Sequence, residues 1–119
     1  MTSDYKKDSP LDLALRYMDI FFSGERLDRL HDLLGEAFRF NGPLYSFESA
    51  AAYVQALIAD PPVDCDYSII KAMQTDTTAC LVYQFKKGGT DTPMVQLFEI
   101  EQGKIVDVLL VFDSTALPK

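Results

Sequence analysis

Histidine and cysteine are scarce in this 119-residue chain, which has one His and two Cys. His31, Cys65 and Cys80 lie far apart and no C-x-x-C spacing occurs, which argues against a zinc site and against a disulfide framework. The two thiols read instead as small, semi-buried, reduced side chains of a cytoplasmic protein. Basic charge is also in deficit. Eleven Lys and Arg against eighteen Asp and Glu leave a net charge of −7, which repels phosphate backbones and anionic lipid. Neither nucleic acid nor a membrane surface is therefore an expected partner. Long apolar runs are missing too: the longest, Val108 to Phe112, is far too short to cross a bilayer. Met1 to Pro10 is polar and lacks the apolar stretch of a secretory signal. Gly-rich phosphate loops, nucleophile elbows and metal-ligand clusters are absent, so neither a metal nor a cofactor is expected.

The chain does have the material for a core. Apolar residues make up 48%, and eight Phe with six Tyr supply bulk, which places the chain among single folded domains. The domain is expected over 9–115, between short tails at 1–8 and 116–119. "DSPLDLALRYMDIFFSG" carries a helix start, with Ser9 as N-cap, Pro10 at the first helical position and Asp12 three residues after the cap. Leu11, Leu15, Met18 and Phe22 follow at helical spacing, with Gly24 as the stop. "ERLDRLHDLLGE" repeats the pattern more briefly, with Leu27, Leu30 and Leu34 on one face and Gly35 as the stop. After "AFRFNGP", a strand and a break, Ser46 is expected to cap a third helix. Its apolar stripe is Ala50, Tyr53, Val54, Leu57 and Ile58, and Pro61-Pro62 close it.

From Asp66 the apolar period becomes two. "DYSIIKAMQ", "TACLVYQFKK", "PMVQLFEIE" and "KIVDVLLVFD" are four strand-length runs, separated by Thr75-Asp76, Gly88-Gly89 and Gln102-Gly103 as hairpin turns. The order α-α-β-α-β-β-β-β predicts an α+β fold, with three helices on one face of a curved, mostly antiparallel sheet. Ala79, Leu81, Tyr83, Phe85, Met94, Gln96, Phe98, Val108, Leu110 and Phe112 alternate toward the helices. The last strand is apolar on both faces, with Val106, Val108, Leu110 and Phe112 on one and Ile105, Leu109 and Val111 on the other. An antiparallel sheet covered on one side only should alternate apolar with polar, so a second subunit is expected over the outer face.

"ALRYMDIFFSGERLDRLHDLLGEAFRFNGP", the third helix and the closing "LFEIEQGKIVDVLLVFD" together resemble the nuclear transport factor 2-like, or SnoaL-like, superfamily. The resemblance implies a cystatin-like cone in which three helices and a curved sheet enclose one apolar cavity. The superfamily includes ketosteroid isomerases, polyketide cyclases, limonene epoxide hydrolases, dehydratases and non-enzymatic binding or dimerisation modules. Set against the ketosteroid isomerases, Tyr17 matches the first-helix tyrosine of the oxyanion hole. Asn41 falls where the general base should be, and Gln96 falls near the second oxyanion donor. An amide is no base at neutral pH, so isomerase chemistry of that type is not expected.

The expected function is accordingly the binding of a small hydrophobic metabolite by a homodimer. Tyr17, Asn41, Tyr83 and Gln96 would supply polar contacts, with Phe98 and Phe112 as apolar wall. Bland readings stand beside these: Asn41 as ordinary turn composition before Gly42, and Tyr17 as a packed ring. The alternatives are a cyclase-, epoxide hydrolase- or dehydratase-type enzyme with a base drawn from His31, Asp107 or Asp113, or a protein-interaction module using the outer sheet face.

Overall fold

Ser9 starts the first helix by two reciprocal bonds. Its side chain accepts from the Asp12 backbone N–H at 3.1 Å, and Asp12 accepts from the Ser9 N–H at 3.2 Å, with Pro10 at the first helical position. The computed structural model describes residues 8–116, so the expected tails lie outside the described residues except for Asp8 and Ala116. Helix α1 runs Pro10–Ser23 and ends at Gly24, whose φ of 67° is left-handed. Its buried face is Leu13, Ala14, Tyr17 and Met18. Of the stripe expected from sequence only Met18 is on that face; Leu11, Leu15 and Phe22 are half-buried, and Tyr17 is buried in their place.

The second expected helix is a 3₁₀ helix, Leu27–Asp32, and Gly35 does not terminate it. Strand β1 has already begun, at Leu34, and runs to Asn41. Gly35 lies within that strand, where a Cβ would stand 3.2 Å from Val106 Cγ1. A two-residue strand β2, Ser46–Phe47, pairs antiparallel with Phe40 and Asn41. Ser46 is therefore in the sheet, and the cap of helix α2 (Ala50–Ala59) is Ser49, which accepts from the Ala52 N–H at 3.1 Å.

Four long strands follow: β3 (Cys65–Gln74), β4 (Thr78–Lys87), β5 (Thr90–Glu101) and β6 (Lys104–Val111). The sheet order is β2-β1-β6-β5-β4-β3, antiparallel throughout except for the β1–β6 pair. Thr75 caps the β3–β4 turn with its hydroxyl, and Gly88-Gly89 and Gln102-Gly103 turn the next two hairpins with positive φ. Helix α1 packs across β3, β4 and β5, and α2 packs on β1 and β2. Among the described residues, no helix is long and apolar enough to cross a membrane.

The inner face is the one the alternation predicts on β4 and β5. Ala79, Leu81 and Tyr83 are buried, as are Thr92, Met94, Gln96 and Phe98. On β6 the parity breaks. Glu99 pairs with Asp107 while Ile100 pairs with Ile105, so Val106 is an extra residue in a bulge. Ile105, assigned from sequence to the outer face, is thereby turned inward and is fully buried, together with Val108.

Candidate functional site

Between α1, α2 and the inner face of β4–β6 the core is not filled. A cavity of about 510 Å³ opens there. Met18, Phe21 and Phe22 of α1 line it together with Leu110, Phe112, Met94 and Phe85 from the sheet side. The mouth lies between the 42–45 turn and the 61–63 segment, where Leu44, Tyr45 and Val63 are all more than half exposed. Asp60 and Lys87 are the charged residues of the lining.

Its floor is polar. Tyr17, Tyr53, Tyr83 and Gln96 line the cavity and are each at most 3% exposed. The Tyr17 and Tyr53 hydroxyls bond each other, and the Tyr83 hydroxyl donates to Gln96 Oε1 at 2.7 Å. Stacked and edge-on rings hold the phenols in place. Phe98 meets Tyr17 edge-on at 5.2 Å, and Phe40 stacks on Tyr53 at 5.0 Å. Burial is the main reason the Tyr17 hydroxyl is held well above the ordinary tyrosine value; the neighbouring Tyr53 raises it further, while a hydrogen bond with the Gln96 amide acts the other way. Burial likewise raises Tyr53 and Tyr83. All three are neutral hydroxyls at neutral pH. Nearer the surface, burial and the Asp19 carboxylate, which accepts from Tyr67 at 3.1 Å, push the Tyr67 hydroxyl up to about 12.

The residues singled out in the sequence separate into two groups. Tyr17, Tyr83, Gln96 and Phe112 meet at the cavity. Phe98 lies behind the Tyr17 ring and does not reach the lining. Asn41 departs from expectation: it is exposed at the end of β1 and outside the lining. Strand parity explains this, because Phe40 points inward opposite Val108, which leaves Asn41 on the outer face opposite Leu109. The three expected bases also lie outside the cavity. His31 is exposed on the 3₁₀ helix. Asp107 is on the outer face, 3.8 Å from Arg39. Asp113 is exposed and accepts from the Thr115 hydroxyl at 2.6 Å and from its N–H, bonds that hold its carboxyl below the usual range.

Among the lining residues that the sequence did not single out are Tyr53 and Asp60. Tyr53 read as one member of an apolar stripe; its signal was a lone hydroxyl among Ala, Val and Leu on a helix facing α1. Asp60 is exposed, as an acidic residue after a helix is expected to be, and only its place at the C-cap of α2 brings it to the lining.

The family model of the SnoaL-like domain matches residues 14–108. The chain belongs to the SnoaL-like domain family. No curated protein matches it in sequence. Solved structures share the fold of this SnoaL-like domain. An NTF2-like protein of unknown function from Cytophaga hutchinsonii superposes with a TM-score of 0.77 at 22% identity, over 97% of this chain and 96% of that one. An LEH-like epoxide hydrolase of M. tuberculosis gives 0.76 at 12% identity, over 98% and 85%. A Kribbella flavida protein with a provisional ketosteroid isomerase description gives 0.74 at 19%, over 90% and 79%. At such identities the likeness extends to the fold and not to chemistry.

Proposed function

We propose that this SnoaL-like domain binds a small hydrophobic metabolite whose polar end is held by Tyr17, Tyr53, Tyr83 and Gln96. The reading is carried by one observation: a cavity of about 510 Å³ with aromatic and aliphatic walls ends in a cluster of buried, mutually bonded hydroxyls and an amide. That volume lies within the range of ordinary small-molecule sites, and apolar walls with a few convergent polar groups are their usual lining. Neutral phenols and an amide can hold a ligand oxygen but cannot take up a proton at neutral pH. The floor is therefore suited to recognition. The protein acts in the cytoplasm as a homodimer through the outer sheet face.

Native mass spectrometry of the protein as purified, under conditions that preserve non-covalent complexes, tests both parts. A carried-over small molecule at one per chain, lost in Tyr17→Phe/Gln96→Leu, supports the reading. Persistent absence of any adduct, with no binding across a panel of apolar carbonyl compounds, overturns it.

One observation favours a second reading, an enzyme of the cyclase, epoxide hydrolase or dehydratase kind. Asp60, an exposed carboxylate at the C-cap of α2, lines the same cavity as the hydroxyl floor, and a carboxylate and a set of donors in one cavity can move a proton while an oxygen gains charge. Turnover of any panel compound that disappears in Asp60→Asn while binding persists would select this reading.

A further inference from the structure

Lys87 is the cationic residue of the cavity lining, and the period of β4 explains its place there. Alternate residues of a strand share a face, so Tyr83, Phe85 and Lys87 follow one another along one side of β4, and all three are in the lining. They make a track from floor to mouth. Tyr83 is buried, Phe85 is half-buried, and Lys87 is exposed where the strand ends. At about 3.4 Å per residue the track covers roughly 13 Å. Its charge environment sets Lys87 apart from its neighbour in the chain. Lys86 is on the other face, between Asp66 of β3 and Asp91 of β5. Lys87 stands instead between Cys65, whose thiol burial raises, and Thr90. Among the described residues its ammonium enters no ion pair, not even with Asp60 of the same lining. The rest of the mouth is apolar, with Leu44, Tyr45 and Val63 each more than half exposed.

We infer that the ligand is an amphipathic monocarboxylic acid, its apolar body along Phe22 and Phe85 and its carboxylate at the mouth on Lys87. This deepens the binding reading above and rests on it. A carboxylate carried down to the floor would lose its water with no cation to balance it, whereas at the mouth it keeps part of its hydration and gains Lys87. One lysine matches one negative charge; a dianion would be left half-compensated in a lining that also contains Asp60. The charge of the whole molecule works the other way. With a net charge of −7, long-range attraction favours cations. A preference for an anion can therefore come only from a local contact, and Lys87 is placed to make it. An exposed pair contributes modestly, so Lys87 selects among ligands of like shape rather than supplying the bulk of affinity.

The test uses the full chain and a matched set of straight-chain ketone probes of equal length, ending in a carboxylate, a primary amide, an ammonium group or a plain methyl. Affinities are measured by calorimetry at low ionic strength. The carboxylate is expected to bind about threefold to fivefold tighter than the amide, and the ammonium more weakly than either. Added salt should shrink that advantage. Lys87→Gln should abolish it and leave the plain ketone unchanged, and Lys87→Glu should reverse the order of carboxylate and ammonium. Lys86→Gln, on the other face of β4, should leave the order as it was. If the amide or the ammonium binds as tightly as the carboxylate, or the carboxylate keeps its advantage in Lys87→Gln, the acid seat is wrong although the cavity binds. If no probe binds, the plain ketone included, the binding reading falls and this inference with it. The order of affinities on the unaltered chain decides the matter even where a variant folds poorly.

Discussion

Tyr17, Tyr53 and Tyr83 show how burial alone turns a common side chain into a specific one. In water a phenol is one donor among many; here three of them are removed from solvent, with Tyr17 bonded to Tyr53 and Tyr83 to Gln96, and kept neutral. The same burial has a pH consequence with a definite sign. Each hydroxyl has its folded value raised above the ordinary tyrosine value near 10, so the native state keeps protons that the unfolded chain releases. Stability from this source is complete below about pH 10 and is lost as the pH rises above it. In an alkaline titration followed by phenolate absorbance, Tyr17, Tyr53 and Tyr83 are expected to ionise only together with the loss of circular dichroism. Full ionisation around pH 10 with native dichroism intact would mean that the floor is open to water.

At the scale of elements, the turn between α1 and the 3₁₀ helix is coupled to the cavity mouth. Gly24 has a left-handed φ of 67°, and a Cβ there would lie 2.7 Å from the Pro62 carbonyl oxygen. Pro62 lines the cavity entrance. Gly24→Ala is expected to destabilise the fold by roughly 1–3 kcal/mol, combining backbone strain with a clash against main chain that cannot rotate away. Thermal unfolding checks this, and Gly89→Ala is the control. Gly89 also has positive φ, but no atom lies within 4 Å of its added Cβ, so only the strain should appear. Elements whose signals are local were legible in the sequence. The Ser9–Pro10–Asp12 start of α1, the glycine stop at Gly24 and the period of β4 and β5 all read correctly, because caps and alternation act within a few residues. What was not legible depends on partners far along the chain. The β6 bulge at Val106 is set by pairing with both β1 and β5, and it moved Ile105 to the inner face. Strand β2 exists only because the 42–45 turn brings Ser46 back beside Asn41, which left Ser49 rather than Ser46 as the α2 cap. The site followed the same rule. Tyr83 and Gln96 could be placed by strand period and Tyr17 by the family resemblance, whereas the role of Tyr53 depended on a tertiary contact with Tyr17, and Asn41 was placed inside by the resemblance alone, against the parity of β1.

For the molecule as a whole, the outer sheet face poses the remaining physical problem. Leu109 and Val111 of β6 are 44% and 52% exposed, and Met73 of β3 is 51% exposed. Val82, Val95 and Leu97 lie on the same side, since each alternates with a buried neighbour on β4 or β5. Such a contiguous apolar surface is unusual for a monomer. A second copy is the occupant proposed, because the apolar side chains of β4, β5 and β6 adjoin across the ladder and a two-fold mate would cover them with the same patch. The cavity opens on the opposite, helical face of the sheet, so a dimer of this kind leaves both mouths free. Light scattering on a sizing column should give twice the chain mass of 13.4 kDa. Leu109→Asp places a carboxylate at the centre of the contact and should halve that mass while leaving far-ultraviolet dichroism and probe binding unchanged, because Leu109 lies on the face away from Tyr17 and Gln96. A wild-type chain that runs as a monomer at micromolar concentration would assign the apolar face to a different partner. A variant that loses probe binding along with its partner would show that the two faces of the sheet are coupled through β5 and β6.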